Sequence, residues 1–206
     1  MPFAWKEAGV HLYSGSAHKF HGPKGVGFLL VKEGIELLPV LSGGGQEHGW
    51  RSGTPNLPGI VGMSQALRFT IESMNENRAN MYALRRQLLE IIADIPELHL
   101  NGYGKDADER CTAPHIVNVS YPGMRPEVLV HMLEKHGILI STQSACSSRS
   151  LKPSRVLLAM GLDEDRASGS MRISLGDEHT ERDIQVLGER LRMAIAKLKP
   201  LERSRA

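Results

Sequence analysis

The sequence predicts an α/β protein, and three observations support this fold class. Short runs of strand-forming residues alternate with segments whose apolar residues recur every three or four positions, as in strands alternating with helices. The 206 residues suffice for one large or two small domains, and 41% of them are hydrophobic, as in ordinary folded proteins. Lys and Arg number 25 against 23 Asp and Glu, and the two signs are interleaved. Direct nucleic-acid binding is therefore not expected.

The composition also argues against a membrane or secreted protein. The longest apolar runs are about six residues, far below the roughly 20 that a membrane-spanning helix needs. The first ten residues lack the basic start and apolar stretch of a secretory signal. Two cysteines, Cys111 and Cys146, cannot build a disulfide framework. We therefore expect a cytoplasmic protein without membrane association.

The elements follow from periodicity, proline and glycine positions and helix caps. In chain order they are a strand at 26–31, two helices or one broken helix at 60–76 and 78–95, a strand at 98–101, a strand at 116–121, a helix at 126–135, a strand at 138–140, a short helix at 154–160, a strand at 170–175 and a closing helix at 180–198. Pro126 suits the first turn of its helix and Gly137 suits a C-terminal cap. Thr180 can cap the last helix, with Asp183 in its first turn. The long polar loop at 42–59 is typical of a functional segment.

A first reactive cluster surrounds Lys19. A lysine that reacts with the carbonyl of a cofactor must be neutral part of the time, which nearby cations and desolvation favour. Lys19 follows His18 and lies between apolar Ala17 and Phe20. Ser16 and His18 are predicted on one side of an extended segment, where they could bind a phosphate together. A surface turn with a solvated lysine is the alternative.

A glycine-rich loop carries the second cluster. Its Arg51, Ser52 and Thr54 offer hydrogen-bond donors suited to a phosphate, and its glycines permit close approach of the backbone. A flexible surface loop is the alternative. Glu47 and His48 are adjacent in sequence and have no evident third ligand, so no metal site is predicted.

The third and fourth clusters centre on Cys146 and Arg172. Cys146 lies in a serine-rich loop between a predicted strand and a short helix, where a thiol would be accessible and mobile. Cys111 is expected to be unreactive before a strand. Arg172 interrupts an apolar strand and must be paired or functional, because an unpaired buried charge is costly. It suits a bidentate contact with a carboxylate, and a structural salt bridge is the alternative.

Together and in this order, the four clusters resemble the cysteine desulfurases of the class V aminotransferase group. These are pyridoxal-phosphate (PLP) enzymes that take sulfur from free cysteine. The resemblance spans residues 7–198, and the motifs that carry it are S-x-H-K-x-x-G-P-K-G-x-G at 16–27, R-S-G-T at 51–54, S-A-C-S-S at 144–148 and R-x-S-L-G at 172–176. It implies the PLP-dependent transferase fold of type I.

The resemblance also implies how the cofactor would be held. Lys19 would bear PLP and later act as the general base that moves protons on the substrate carbon. Ser16 and His18 would bind the cofactor phosphate. Thr54 would reach across a homodimer interface to the phosphate of the partner subunit.

For the substrate, the resemblance implies L-cysteine, with Arg172 holding its carboxylate. Cys146 would attack the substrate sulfur and leave as a persulfide, with L-alanine as the other product. The sulfur would then pass to an acceptor protein, such as an iron–sulfur scaffold or a tRNA-thiolation protein. Selenocysteine lyase or another class V enzyme is an alternative. A non-catalytic module that docks sulfur acceptors or a partner desulfurase is another.

In the family, about half of the chain precedes the lysine and supplies groups that contact the cofactor ring. We therefore expect this sequence to match the C-terminal half of the fold. Residues 1–75 would be the end of the large PLP-binding domain, and residues 76–206 the complete small domain. Such a chain is expected to be weakly active or inactive alone, to expose an apolar face, and to form a homodimer or associate with an N-terminal half chain.

Overall fold

The computed structural model contains both strands and helices, and it describes residues 4–104, 108, 111–142 and 153–202. The strands and α-helices are, in chain order, β1 (Leu12–Ser16), β2 (Gly27–Val31), α1 (Leu57–Ala93), β3 (His99–Asn101), β4 (Ile116–Ser120), α2 (Pro126–Glu134), α3 (Arg155–Ala159), α4 (Glu164–Ser168), β5 (Ser170–Ser174) and α5 (Glu181–Glu202). Two 3-10 helices, Ala17–Phe20 and Glu47–Gly49, lie in the connections before α1. Within these ranges, no helix combines the length and apolar character that crossing a membrane requires.

The chain divides into two compact units, Met1–Glu76 and Asn77–Ala206. In the first unit, β1 and β2 form an antiparallel pair, with Ser16 opposite Gly27. In the second unit, three strands form an antiparallel sheet in the order β3–β4–β5. The boundary between the units lies inside α1.

Helix α1 corrects the predicted break between residues 76 and 78. It runs without interruption for 37 residues, because neither Gly nor Pro occurs at positions 76–78 to disrupt it. It ends at Ala93, before the predicted stop at Pro96.

The segment at 138–140 is not a strand, contrary to the prediction. Only the next residue, Ser141, pairs with the sheet, through an isolated antiparallel bridge to Arg172. Helix α4 was not predicted. It is capped by Asp163, whose carboxylate accepts a hydrogen bond from the backbone N–H of Arg166 at 2.8 Å.

The core of the second unit lies on one face of the three-stranded sheet. Val117 and Val119 of β4 and Met171 of β5 are completely buried there. They join an apolar cluster with residues of α1, α2 and α5, which include Leu88, Leu129, Leu133, Ile184 and Leu191. The alternation of apolar and polar residues in β4 and β5 therefore gives the sheet one apolar face and one polar face.

The first unit has a different character, since many of its apolar side chains are exposed. Among residues 4–76, Ala17 is the one apolar side chain that is buried. The exposed apolar side chains include Leu12, Leu29, Leu38, Val40, Val61, Phe69 and Ile71. An exposed apolar surface of this extent is typical of a region that packs against another polypeptide segment.

Candidate active site

The segment that carries Lys19 is anchored by a single buried side chain. Ala17 begins the 3-10 helix after β1 and is fully buried. Its backbone N–H donates to the carbonyl oxygen of Val26 at 3.1 Å, and its carbonyl oxygen accepts from the N–H of Gly22 at 2.9 Å. These bonds close the segment into a compact turn.

Two further contacts hold this turn in place. A Cβ atom at position 22 would lie 2.8 Å from the Cβ of Ala17, so the close approach requires glycine there. The hydroxyl of Thr70 in α1 donates to the carbonyl oxygen of Phe20 at 3.4 Å. His21 ends the 3-10 helix with φ of 64°, a left-handed conformation that is uncommon outside glycine.

The polar side chains of this segment are available for a ligand. Ser16, His18 and Lys19 are exposed, and within the described ranges none of them makes a side-chain hydrogen bond or ion pair. The predicted extended conformation is wrong beyond Ser16. That residue ends β1, whereas His18 and Lys19 lie in the 3-10 helix, because the chain turns around the buried Ala17.

Thr54 lies in a separate loop of the first unit. An isolated bridge between Leu41 and Arg51 holds the chain just before it. The next residue, Ser52, is buried, and its N–H donates to the carbonyl oxygen of Leu41 at 3.3 Å. The N–H of Gly53 donates to the side-chain oxygen of Gln46 at 3.0 Å. Thr54 itself is exposed at the end of this constrained stretch.

Arg172 lies in the second unit, in the middle of β5. It is paired with Asn118 of β4 on one side and with Ser141 on the other. Its Nε atom is buried and has no hydrogen-bond partner in the described part of the chain. A buried donor without a partner is costly, which makes Arg172 a candidate for ligand binding.

Cys146 lies outside the described residues, which stop at Thr142 and resume at Pro153. The residues just before this interval are held against β5 by the Ser141 bridge. Cys111 is a free thiol and is exposed.

The structure therefore brings Ser16, His18 and Lys19 together on one short segment. Thr54 lies on another loop of the same unit, and Arg172 lies in the second unit. Sequence reasoning missed Asn118, the polar neighbour of Arg172 in the sheet. The sequence feature that could have revealed it is a polar residue between two valines in the middle of the strand Ile116–Ser120.

Comparisons with known proteins agree with the resemblance carried by the motifs. The aminotransferase class-V family matches residues 1–187. A cysteine desulfurase IscS of Clostridium botulinum is 46% identical over 185 residues, which are 89% of this chain and 46% of that protein. The chain spans about half the length of the curated relatives that it matches.

Solved structures show the same relationship. A NifS-like protein superposes with a TM-score of 0.82 at 34% identity, over 96% of this chain and 50% of that one. SspA in complex with cysteine superposes with a TM-score of 0.55 at 29% identity, over 83% of this chain and 45% of that one. Both the predicted α/β fold, as part of the PLP-dependent transferase fold, and the predicted family are confirmed. The chain belongs to the class V aminotransferase family and is a homologue of the cysteine desulfurases.

Proposed function

We propose that this chain provides the lysine, the persulfide cysteine and the carboxylate-binding arginine of a cytoplasmic, PLP-dependent cysteine desulfurase. The observation that carries the proposal is the Ser16–Lys19 segment. It is fixed by the buried Ala17 and presents a hydroxyl, an imidazole and an amine that are exposed and without side-chain partners in the described ranges. Similarity to cysteine desulfurases supplies the reaction class.

The side chains of this segment fit PLP by their chemistry. A phosphate needs hydrogen-bond donors, which Ser16 and His18 offer, and an aldehyde needs a primary amine, which Lys19 offers. Lys19 would therefore hold the cofactor covalently through Nζ, and Thr54 would donate to the phosphate in a partner subunit. When bound, PLP supplies an electron sink for the reacting bonds of the substrate.

The remaining steps fall to side chains of this chain. Lys19 Nζ would move a proton at the α-carbon of L-cysteine, and Arg172 would hold the substrate carboxylate. The Cys146 thiolate would form an S–S bond with the substrate sulfur as the bond from that sulfur to Cβ breaks. The electron pair of the broken bond stays with the carbon skeleton, which takes up a proton and leaves as L-alanine.

We further propose that a polypeptide segment outside residues 1–206 covers the apolar surface of the first unit. Burial of apolar surface is the main favourable term in folding, and a unit with one buried apolar side chain among residues 4–76 gains little from it. A second copy of this chain, or a polypeptide equivalent to the half of the relatives that this chain does not match, would cover the exposed residues. In this assignment residues 1–75 belong to the large PLP-binding domain and residues 76–206 to the small domain.

The product sulfur would be passed from Cys146 to an acceptor protein, such as an iron–sulfur scaffold or a tRNA-thiolation protein. Replacing Cys146 with Ala is expected to abolish persulfide formation from L-cysteine, whereas Cys111→Ala is expected to leave it unchanged. Equal loss in both variants would contradict the role of Cys146. Faster turnover of selenocysteine than of cysteine would instead identify a selenocysteine lyase.

The direct test is to add PLP to the purified chain, reduce with borohydride, and locate the adduct by peptide mass. We expect an adduct on Lys19 that is lost in Lys19→Ala and retained in Lys24→Ala, which removes an exposed lysine five residues further along the chain. The experiment is repeated after addition of the N-terminal half of the Clostridium botulinum relative. An adduct on other lysines only, under both conditions, would contradict the proposal. Binding of sulfur acceptors that persists in Lys19→Ala without any adduct would favour a non-catalytic docking module.

A further inference from the structure

The polar face of the three-stranded sheet carries Arg172 in a continuous row of polar residues. Asn101 of β3 lies opposite Asn118 of β4, and Asn118 lies opposite Arg172 of β5. Residues directly opposite each other on antiparallel strands project to the same face, with Cβ atoms about 5 Å apart. Asn118 is therefore the nearest cross-strand neighbour of Arg172 on β4.

A chain of hydrogen bonds determines how the two amides are oriented. Arg166 Nε donates to the side-chain oxygen of Asn101 at 2.9 Å, and because a guanidinium cannot accept, Asn101 must present its oxygen there. The Nδ2 atom of Asn101 then donates to Asn118 Oδ1 at 2.7 Å and to Ser120 Oγ at 2.6 Å. Asn118 Oδ1 therefore accepts from Asn101, and Asn118 Nδ2 is the remaining donor of that amide.

Two members of this network are buried. Ser120 is completely buried and Asn101 is nearly so, and Ser120 Oγ donates to the carbonyl oxygen of Arg166 at 2.6 Å. Arg166 Nη2 also donates to the carbonyl oxygen of Leu100 at 2.6 Å. Arg166 therefore acts as a positioning residue that holds the Asn101 amide, and through it the Asn118 amide.

Two donor groups without acceptors therefore belong to residues directly opposite each other on neighbouring strands. In the described part of the chain, Asn118 Nδ2 makes no hydrogen bond, and Arg172 Nε is buried without a partner. Neither side chain forms an ion pair with a described carboxylate. Adjacent amide and guanidinium donors fit a planar anion with two oxygen acceptors, which is the geometry of a carboxylate.

We propose that Asn118 and Arg172 together bind the α-carboxylate of the amino-acid substrate, with Asn118 Nδ2 and the guanidinium donating to its oxygens. The proposal rests on the proposed function, in which Arg172 holds this carboxylate, and adds Asn118 as a second recognition residue. The Asn101 and Arg166 side chains fix its amide in the donating orientation.

The variant Asn118→Asp tests the Nδ2 donor of Asn118 separately, because it removes this donor and keeps the acceptor for Asn101. One oxygen of the introduced carboxylate can still accept from Asn101 Nδ2, while the other replaces the donating nitrogen with a negative acceptor that repels a substrate carboxylate. Asn118→Ala is the second variant and removes both groups. Asn80→Asp, which makes the same change at an exposed position of α1, is the matched control.

The readout is the NMR resonance of the Arg172 Nε–H group in the full chain, identified by its loss in Arg172→Lys. Each protein is titrated with L-alanine and with ethylamine, which is L-alanine without its carboxylate. We expect L-alanine, and not ethylamine, to shift the resonance in the wild type and in Asn80→Asp. We expect the apparent affinity for L-alanine to fall about tenfold or more in Asn118→Asp.

The possible failures are distinguishable. An L-alanine response in the wild type that is unchanged in Asn118→Asp and Asn118→Ala would overturn the role of Asn118 and leave that of Arg172 intact. No response in the wild type would overturn both. If Asn118→Asp does not fold by circular dichroism, Asn118→Ala decides, with a several-fold loss expected and an unchanged affinity overturning the proposal.

Discussion

Ser141 and Arg172 exchange two backbone hydrogen bonds. The N–H of Ser141 donates to the carbonyl oxygen of Arg172 at 3.1 Å, and the N–H of Arg172 donates to that of Ser141 at 2.6 Å. The chain that leads to Cys146 is therefore fastened to β5 at the residue that we propose binds the substrate carboxylate.

Replacing Ser141 with Pro is expected to break this attachment, because proline has no N–H to donate to Arg172. Loss of the bond should lower the free energy of unfolding by about 1–3 kcal/mol. Urea denaturation measures the change. Ser141→Thr keeps the hydroxyl and both backbone bonds and is the control. A proline variant as stable as the wild type would show that the bridge contributes nothing.

A second prediction concerns how α2 packs on the apolar face of the sheet and what this packing contributes to the free energy of unfolding. Leu129 is completely buried, whereas its neighbour Val128 is 40% exposed. Leu129→Ala should therefore lower the free energy of unfolding by about 2–5 kcal/mol, since it removes buried methyl groups and leaves a cavity. Val128→Ala should change it by less than about 1 kcal/mol. Equal losses for the two variants would show that α2 packs on the sheet through a different face.

The buried polar network predicts a third effect, at Ser120. Its hydroxyl accepts from Asn101 and donates to the carbonyl oxygen of Arg166. Ser120→Ala leaves both partners short of a hydrogen bond, which should lower the free energy of unfolding by about 1–3 kcal/mol. Ser174→Ala, at an exposed position of β5, should change it by less than about 0.5 kcal/mol. A neutral result at Ser120 would mean that water replaces the hydroxyl.

Local sequence signals predicted most strands and helices of the second unit, and the exceptions are the predicted strand at 138–140 and the unpredicted α4. The runs of strand-forming residues predicted at 116–121 and 170–175 match β4 and β5 to within one residue, and the second run placed Arg172 on a strand. Pro126 marked the start of α2 as expected. These features depend on residues close in sequence, so a pattern along the chain was enough to find them.

Sequence patterns did not predict the features that depend on tertiary contacts. The turn at His18 and Lys19 forms because Ala17 is buried and its carbonyl oxygen is bonded to Gly22, and nothing in the local pattern distinguishes that turn from an extended segment. The neighbour relation of Asn118 and Arg172 depends on strand register, which arises from residues far apart in sequence. Periodicity within one strand assigns its residues to a face but does not identify the residues opposite them on a neighbouring strand.

A pH-dependent contribution to stability is predicted at Glu97. Lys199 of α5 donates a hydrogen bond to the Glu97 carboxylate, and this bond, more than any other cause, lowers the pKa of Glu97 below its ordinary value. A carboxyl whose pKa is lower in the folded state stabilises that state above its unfolded pKa, about 4.3 for Glu. The contribution is lost as the pH falls through the folded pKa. Because Lys199 is half exposed, it should amount to less than about 1 kcal/mol.

Glu97→Gln removes this contribution, so the wild type should exceed the variant in free energy of unfolding at neutral pH. The difference should shrink as the pH falls below about 4.3 and vanish once Glu97 is protonated in the folded state. Urea denaturation of both proteins from about pH 7 down to about pH 3 measures it, a range that brackets the unfolded pKa. Glu90→Gln, at an exposed position of α1, controls for the loss of one negative charge. A difference between wild type and Glu97→Gln that stays constant across this range would show that the Lys199 contact stabilises the fold through packing and not through charge.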